Sequence, residues 1–240
     1  MSENDNLVLI SGPSTTGKSA SLMKLKNPEG VMYLNTESGK KLPFKSKFKE
    51  YTIIDPYQVF EAFTHAESLK EIHTIIIDSV TFLMDSFETM HVLGSSDTMK
   101  GWSNYQQFFK KLMQQYVANS TKNVIMTAHT QQLLNENEMV LETKVPVKGA
   151  LKANGLESYF SNVISTKKIK TKDLAKYQSK LLTVTPQEEA LKFKHVFQTQ
   201  ITVDTVHERI RAPLGMWDVS ETFIDNDVQL VLDRLHSYYA

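Results

Sequence analysis

Along the first half of the chain, short apolar runs alternate with longer segments whose apolar positions recur every three to four residues. This is the rhythm of an α/β fold with a mostly parallel central sheet flanked by helices. The runs predict strands at residues 7–11, 31–35, 51–54, 74–78 and 123–128. Ile75, Ile76 and Ile77 are consecutive, which fits a central strand buried on both faces. Tyr105, Phe108, Phe109, Leu112, Met113, Tyr116 and Val117 form the stripe of a long amphipathic helix. Beyond about residue 130 the rhythm changes to shorter β-like segments at 139–147, 162–167, 180–184 and 196–203, separated by lysine-rich stretches. A last helix over 228–239, capped by Asp225 or Asp227, would bury Val228, Val231, Leu232 and Leu235. The expected organisation is one domain over residues 1–240, with a core at 1–130 and a β-rich extension plus C-terminal helix at 131–240.

A chain of 240 residues that is 41% hydrophobic can bury one substantial core. No apolar run approaches the roughly 20 residues of a membrane helix, so no membrane association is expected. Residues 1–6 are polar and lack the basic and apolar regions of a signal peptide, which points to the cytoplasm. The absence of cysteine excludes disulfides, thiolate metal sites and cysteine nucleophiles, leaving oxygen or imidazole ligands for any metal. With 27 Lys and Arg against 27 Asp and Glu, nucleic-acid binding would have to come from local patches rather than overall charge.

Gly12, Pro13, Ser14, Thr15, Thr16, Gly17, Lys18, Ser19 and Ala20 follow the first predicted strand and open a predicted helix. This is the setting and spacing of a phosphate-binding loop. Its glycines let the backbone wrap closely round phosphates with N–H groups inward, and the helix dipole favours negative charge. Lys18 should reach the β- and γ-phosphates of ATP, and the Ser19 hydroxyl is the hard oxygen ligand that Mg²⁺ prefers. Asp78 ends the isoleucine strand, at the edge where open α/β sheets bind ligands, and would hold a Mg²⁺-bound water. Glu37, just beyond the second strand, could polarise the water that attacks the γ-phosphate. The strand at 123–128 ends in His129, Thr130 and Gln131, any of which could sense that phosphate.

Taken in order, the phosphate loop, Asn35-Thr36-Glu37, Ile75-Ile76-Ile77-Asp78-Ser79 and His129 resemble the RecA-like P-loop ATPases. The run from Leu34 to Phe44 (LNTESGKKLPF) and Val147-Lys148-Gly149-Ala150 followed by Tyr159-Phe160 are similar to the small phage nucleotide-binding proteins of the Sak-type group, linked to single-strand annealing and recombination. The resemblance implies ATP and Mg²⁺ as cofactors, with Gly12, Gly17 and Lys18 on phosphate and Ser19 and Asp78 on metal. It makes Glu37 the water-activating residue. RecA-like proteins commonly carry glutamine or asparagine where this chain offers His129 first. The resemblance also implies a homo-oligomer with ATP at subunit interfaces, completed in trans by a basic residue such as Lys148, Lys152, Lys167, Lys168, Arg209 or Arg211.

Lys40, Lys41, Lys45, Lys47 and Lys49 interleave with Phe44, Phe48 and Tyr51, a mixture suited to single-stranded DNA. Lys167, Lys168, Lys170, Lys172, Lys176 and Lys180 form a second cluster. Charge runs are more often solvated loops than binding sites, and aromatics beside them are often core anchors. The expected function is a Mg²⁺-dependent ATPase acting on single-stranded DNA beside phage recombination or replication proteins in the host cytoplasm. The alternatives are a helicase-like or packaging motor and a non-hydrolytic, nucleotide-gated scaffold. A small-molecule kinase ranks last, since only Arg209, Arg211 and Arg234 could build an arginine-rich lid.

Overall fold

The computed structural model describes residues 4–136 and 138–240; the first three residues of the polar N-terminal segment lie outside them. In chain order the elements are β1 (Leu7–Gly12), β2 (Val31–Asn35), β3 (Lys49–Thr52), α1 (Gln58–Ser68), β4 (Thr74–Asp78), α2 (Val80–Phe87), α3 (Thr98–Lys111) and β5 (Asn123–His129). There follow β6 (Gln131–Asn135), β7 (Val140–Lys144), α4 (Leu151–Asn154), β8 (Val163–Lys170), α5 (Thr171–Leu174), α6 (Pro186–Leu191), β9 (Phe193–Gln198), β10 (Phe223–Asp225) and α7 (Val228–Tyr239). Eight strands form one sheet in the order β10-β9-β8-β1-β5-β4-β2-β3, and β6 and β7 form a separate hairpin. From β8 to β3 every pairing is parallel; β9 and β10 add on antiparallel.

Successive strand side chains point to opposite faces, and both faces of this sheet are covered. Leu9, Ile75 and Ile77 pack under α1, α2 and α3 with Phe63, Phe87 and Phe109. Val8, Ile10, Ile76 and Ile125 pack on the other side with Val228, Val231, Leu232 and Leu235 of α7. Each of the three isoleucines is fully buried, a stabilisation of about 1.5–3 kcal/mol apiece. The expected aromatic stripe is the buried face of α3 and its π-helical continuation Leu112–Val117, where Tyr116 stacks on Phe60 with centroids 4.5 Å apart. Asp227, not Asp225, caps α7, accepting from Gln229 N at 3.0 Å.

Several expected elements move for reasons of pairing. The strand foreseen at 51–54 is β3, two residues earlier, because its ladder with β2 ends at Asn35 opposite Thr52. The segment 196–203 is strand only to Gln198, where pairing with β8 stops. The segment at 139–147 ends at Lys144, after which Val145 turns in to bond Glu157. Residues 180–184 are not a strand; Asp225 N bonds Leu181 O at 2.8 Å and Leu181 and Leu182 serve as packing residues. The phosphate loop opens a six-residue 3-10 turn, Ser19–Lys24, where a helix was predicted. α7 packs against that turn, with Lys26 reaching Asp233 at 3.0 Å.

Candidate nucleotide-binding site

β1 delivers the loop to the carboxyl edge of the sheet, where Gly12 and Gly17 are required by space. A Cβ on Gly12 would lie 2.1 Å from Thr166 Oγ1 on β8, and one on Gly17, whose φ is +101°, would lie 2.6 Å from Asn226 Nδ2. Thr16 fastens the loop from inside, its hydroxyl 2.8 Å from Pro13 O and 2.5 Å from Thr166 Oγ1. Asn226, in the turn before α7, donates to Gly17 O at 2.9 Å.

Lys18 is only 6% exposed and curls back over the loop, its ammonium donating to Gly12 O at 2.9 Å and Pro13 O at 2.8 Å. Burial lowers its pKa to about 8, against the opposing pull of Asp78 and Glu37. The ammonium also meets Nδ1 of His129 at 3.4 Å. An ammonium can only donate, so Nδ1 accepts and Nε2 carries the proton, which it gives to Glu37 Oε1 at 3.2 Å. Lys40 closes the row with a 2.7 Å ion pair to Glu37 Oε2. The hydrogen bond from His129, helped by Lys40, holds the Glu37 carboxyl at about 2 against the cost of its burial.

Asp78 lies two strands from β1, and β5 fills the gap with Thr127, whose hydroxyl donates to Asp78 Oδ1 at 2.5 Å. Tyr33 donates to the other oxygen at 2.8 Å, and burial together with that carboxylate pushes its phenol well above the usual range. Both partners hold a buried aspartate in a fixed orientation, with two oxygens still able to bind waters. Neither Tyr33 nor Thr127 carries a sequence signal for this role beyond its place on a strand.

Ser14, Thr15, Gly17, Lys18, Ser19, Ala20, Glu37, Asp78 and His129 line one cavity of about 410 Å³, closed on its other sides by Lys41, Pro43, His195 and Asn226. The sequence-predicted residues thus come together, apart from Gly12, Pro13 and Thr16, which shape the loop from behind. Among the described residues no three His, Asp or Glu side chains cluster as a metal cage. One serine hydroxyl and one carboxylate facing a phosphate loop fit Mg²⁺, which takes few protein ligands and keeps phosphate oxygens and waters.

A larger cleft of about 870 Å³ adjoins this cavity and shares Ser14 and His129 with it; Phe82, Trp102, Gln131, Lys144, Lys148 and Lys152 stand in its walls. Of the three residues that could sense the γ-phosphate, His129 lines both cavities, whereas Thr130, whose Oγ1 is buried without a hydrogen-bond partner, and Gln131 line only the larger cleft. The basic patches are altered by their neighbours. Lys40 pairs with Glu37, Lys47 with Glu29 and Lys49 with Glu71, while Phe44 and Phe48 are half-buried against the core. In the second patch Lys167 pairs with Glu208 and Lys176 lies over the Tyr177 ring.

No curated protein matches the chain. A family model described as an AAA domain matches residues 4–206, the stretch that holds the phosphate loop, Glu37, Asp78 and His129 and that runs beyond β9. The match covers most of the sequence, and with the parallel sheet and the phosphate loop at its carboxyl edge it shows that the chain belongs to the AAA domain family of nucleotide-binding P-loop ATPases.

Proposed function

We propose that this protein is a Mg²⁺-dependent ATPase of the RecA-like kind, related to the Sak-type phage proteins, whose turnover is tied to single-stranded DNA. The observation that carries the enzymatic part is the placement of Glu37 on the same cavity as Lys18, Ser19 and Asp78. A carboxylate there, kept ionised by His129 and Lys40, can orient a water in line with the γ-phosphate. Lys18 is freed from the carbonyls of Gly12 and Pro13 when phosphate oxygens replace them, and its charge then offsets what develops on the transferred group. Bound through Ser19 and an Asp78-held water, Mg²⁺ would supply further charge neutralisation of the β- and γ-phosphates.

The DNA part is supported by the second cleft. It combines lysines with Trp102 and Phe82, the mixture of charge and stacking surface that single strands use. His129 lines both cavities, so a strand in the cleft would press on the residue that holds Glu37. The reading extends to a homo-oligomer working with phage recombination or replication proteins in the host cytoplasm.

The test is ATP hydrolysis measured with Mg²⁺, with and without single-stranded DNA. Stimulation by DNA is expected. Tight ATP binding with negligible turnover would instead make the protein a nucleotide-gated scaffold, and directional strand displacement would make it a motor.

A further inference from the structure

We infer that Tyr33 and Thr127 set the metal specificity of the nucleotide site: as positioning residues they clamp the Asp78 carboxylate so that it serves a metal ion through water, which favours Mg²⁺ over Ca²⁺. The inference rests on the Mg²⁺-dependent ATPase reading above.

The order of the sheet brings the three side chains together, because β4 lies between β2 and β5. Side chains two apart on a strand share a face. Tyr33 therefore shares the face of Val31, Asp78 that of Ile76 and Thr127 that of Ile125, and these three apolar residues belong to one core layer. Thr127 stands one step beyond the pair of Ile77 with Met126, level with Asp78, and Tyr33 lies two residues before Asn35, the partner of Asp78 on β2. The aspartate is thus reached from both sides. Thr127 Oγ1 donates to Oδ1 at 2.5 Å and Tyr33 Oη to Oδ2 at 2.8 Å. Asp78, Tyr33 and Thr127 are all buried, so water does not compete for these bonds.

The clamp is itself anchored. The Tyr33 ring lies against Phe48 with centroids 6.3 Å apart, and Phe48 lies edge-on to Phe44 at 6.0 Å. Aromatics that look in the sequence like a surface for DNA bases thus brace a phenol beside Asp78. Thr127 is β-branched, stiff at its first torsion, and held on its other side by pairing with Ile10 of β1.

A carboxylate can meet a divalent cation with its own oxygens or through a bound water. Direct ligation draws on an oxygen that is already accepting from a hydroxyl, and any swing of Asp78 toward the ion breaks a buried hydrogen bond. Ligation through water needs only an acceptor in a fixed place, which the two hydroxyls supply. Mg²⁺ demands a near-ideal octahedron and sheds water reluctantly, whereas Ca²⁺ takes about six to eight oxygens in flexible geometry, carboxylates among them in direct contact. A carboxylate locked as an acceptor for water suits the first ion and penalises the second. Ser19 and an unrestrained aspartate would serve either.

The experiment measures ATP affinity by calorimetry while free Mg²⁺ or free Ca²⁺ is varied, for wild type, Tyr33→Phe, Thr127→Val and Thr127→Ser. Thermal unfolding without metal checks that each variant folds. Wild type should half-saturate at a lower concentration of Mg²⁺ than of Ca²⁺. Tyr33→Phe, which removes only the hydroxyl, and Thr127→Val should each lose about tenfold in Mg²⁺ affinity and narrow the preference by a similar factor. Thr127→Ser keeps a donor and should keep the wild-type preference. An unchanged preference in folded Tyr33→Phe, or equal losses for both ions, would overturn the proposal and leave the hydroxyls as structural supports. So would a wild type that accepts Ca²⁺ as readily as Mg²⁺. ATP binding that ignores divalent ions altogether would instead overturn the Mg²⁺-dependent reading, and this assignment with it.

Discussion

His129 places Nε2 3.2 Å from Oε1 of Glu37 while its other ring nitrogen faces the Lys18 ammonium. Lys18 and Glu37, the carboxylate proposed to orient the water, are thus joined through one imidazole before any nucleotide arrives. A γ-phosphate that draws Lys18 away removes the donor from Nδ1 and changes the hold on Glu37 in the same movement. On the proposed reading binding and activation share a hydrogen-bond row, which gives the histidine a reason to stand at the end of β5.

Replacing Glu37 by Gln should leave ATP binding within a fewfold of wild type and slow hydrolysis at least about a hundredfold, the scale of a lost general base. The same variant has a signature in stability. Glu37 ionises at about 2 in the fold against an ordinary 4.5, so its contribution is present above 4.5 and is lost as the pH falls through that window. Urea midpoints measured from about pH 5 to pH 3 should fall more steeply for wild type than for Glu37→Gln. Parallel curves would contradict the lowered pKa.

Lys18→Ala should abolish ATP binding at little cost to the fold, although Lys18 is buried and not on an open loop. The two carbonyls it leaves are still served, Gly12 O by Thr130 N at 3.2 Å and Pro13 O by the Thr16 hydroxyl. With both carbonyls still paired and only the long contact to His129 Nδ1 lost, the loss should stay near about 1 kcal/mol by chemical denaturation. A much larger loss would show that the lysine is a structural member.

Gly12→Ala should destabilise by about 1–3 kcal/mol, because its Cβ would intrude on the Thr166 hydroxyl. Thr166→Ala opens that space, so the double variant should recover part of the loss. Strict additivity of the two changes in thermal unfolding would deny the contact.

For DNA, changing Lys45, Lys47 and Lys49 together should alter binding little, since two of the three are already paired with Glu29 and Glu71. Lys152→Ala, in the cleft beside His129, should weaken single-strand binding and flatten its salt dependence by about 0.7 log units, one phosphate contact. Anisotropy titrations at several salt concentrations distinguish the two segments.

The phosphate loop and Asp78 could be read from the chain because each is a local pattern at a strand end. Strand periodicity located β1, β2, β4 and β5 for the same reason. What could not be read is whatever depends on a distant neighbour. Phe44 and Phe48 look like a stacking surface until the core beneath them is known. The lysines beside them look free until Glu29 and Glu71 are seen opposite. Tyr33 and Thr127 meet Asp78 only because β2 and β5 flank β4, an adjacency that no spacing in the sequence encodes. The predicted helix after the phosphate loop is likewise only the short 3-10 turn Ser19–Lys24, and α7, distant in sequence, packs against it and covers that face of the sheet.

The contact between Asn226 and Gly17 joins residues 209 positions apart. On a chain made from its N-terminus, the phosphate loop leaves the ribosome long before one wall of it, which follows 209 positions later. β8, which fixes Thr16 and Thr15, also arrives only after the β6–β7 hairpin. Nucleotide capture therefore waits for these distant contacts, and it reports that β8 and the turn before α7 have docked. In a series of stalled nascent chains, ATP protection of the loop from protease should appear only once Asn226 has cleared the exit tunnel.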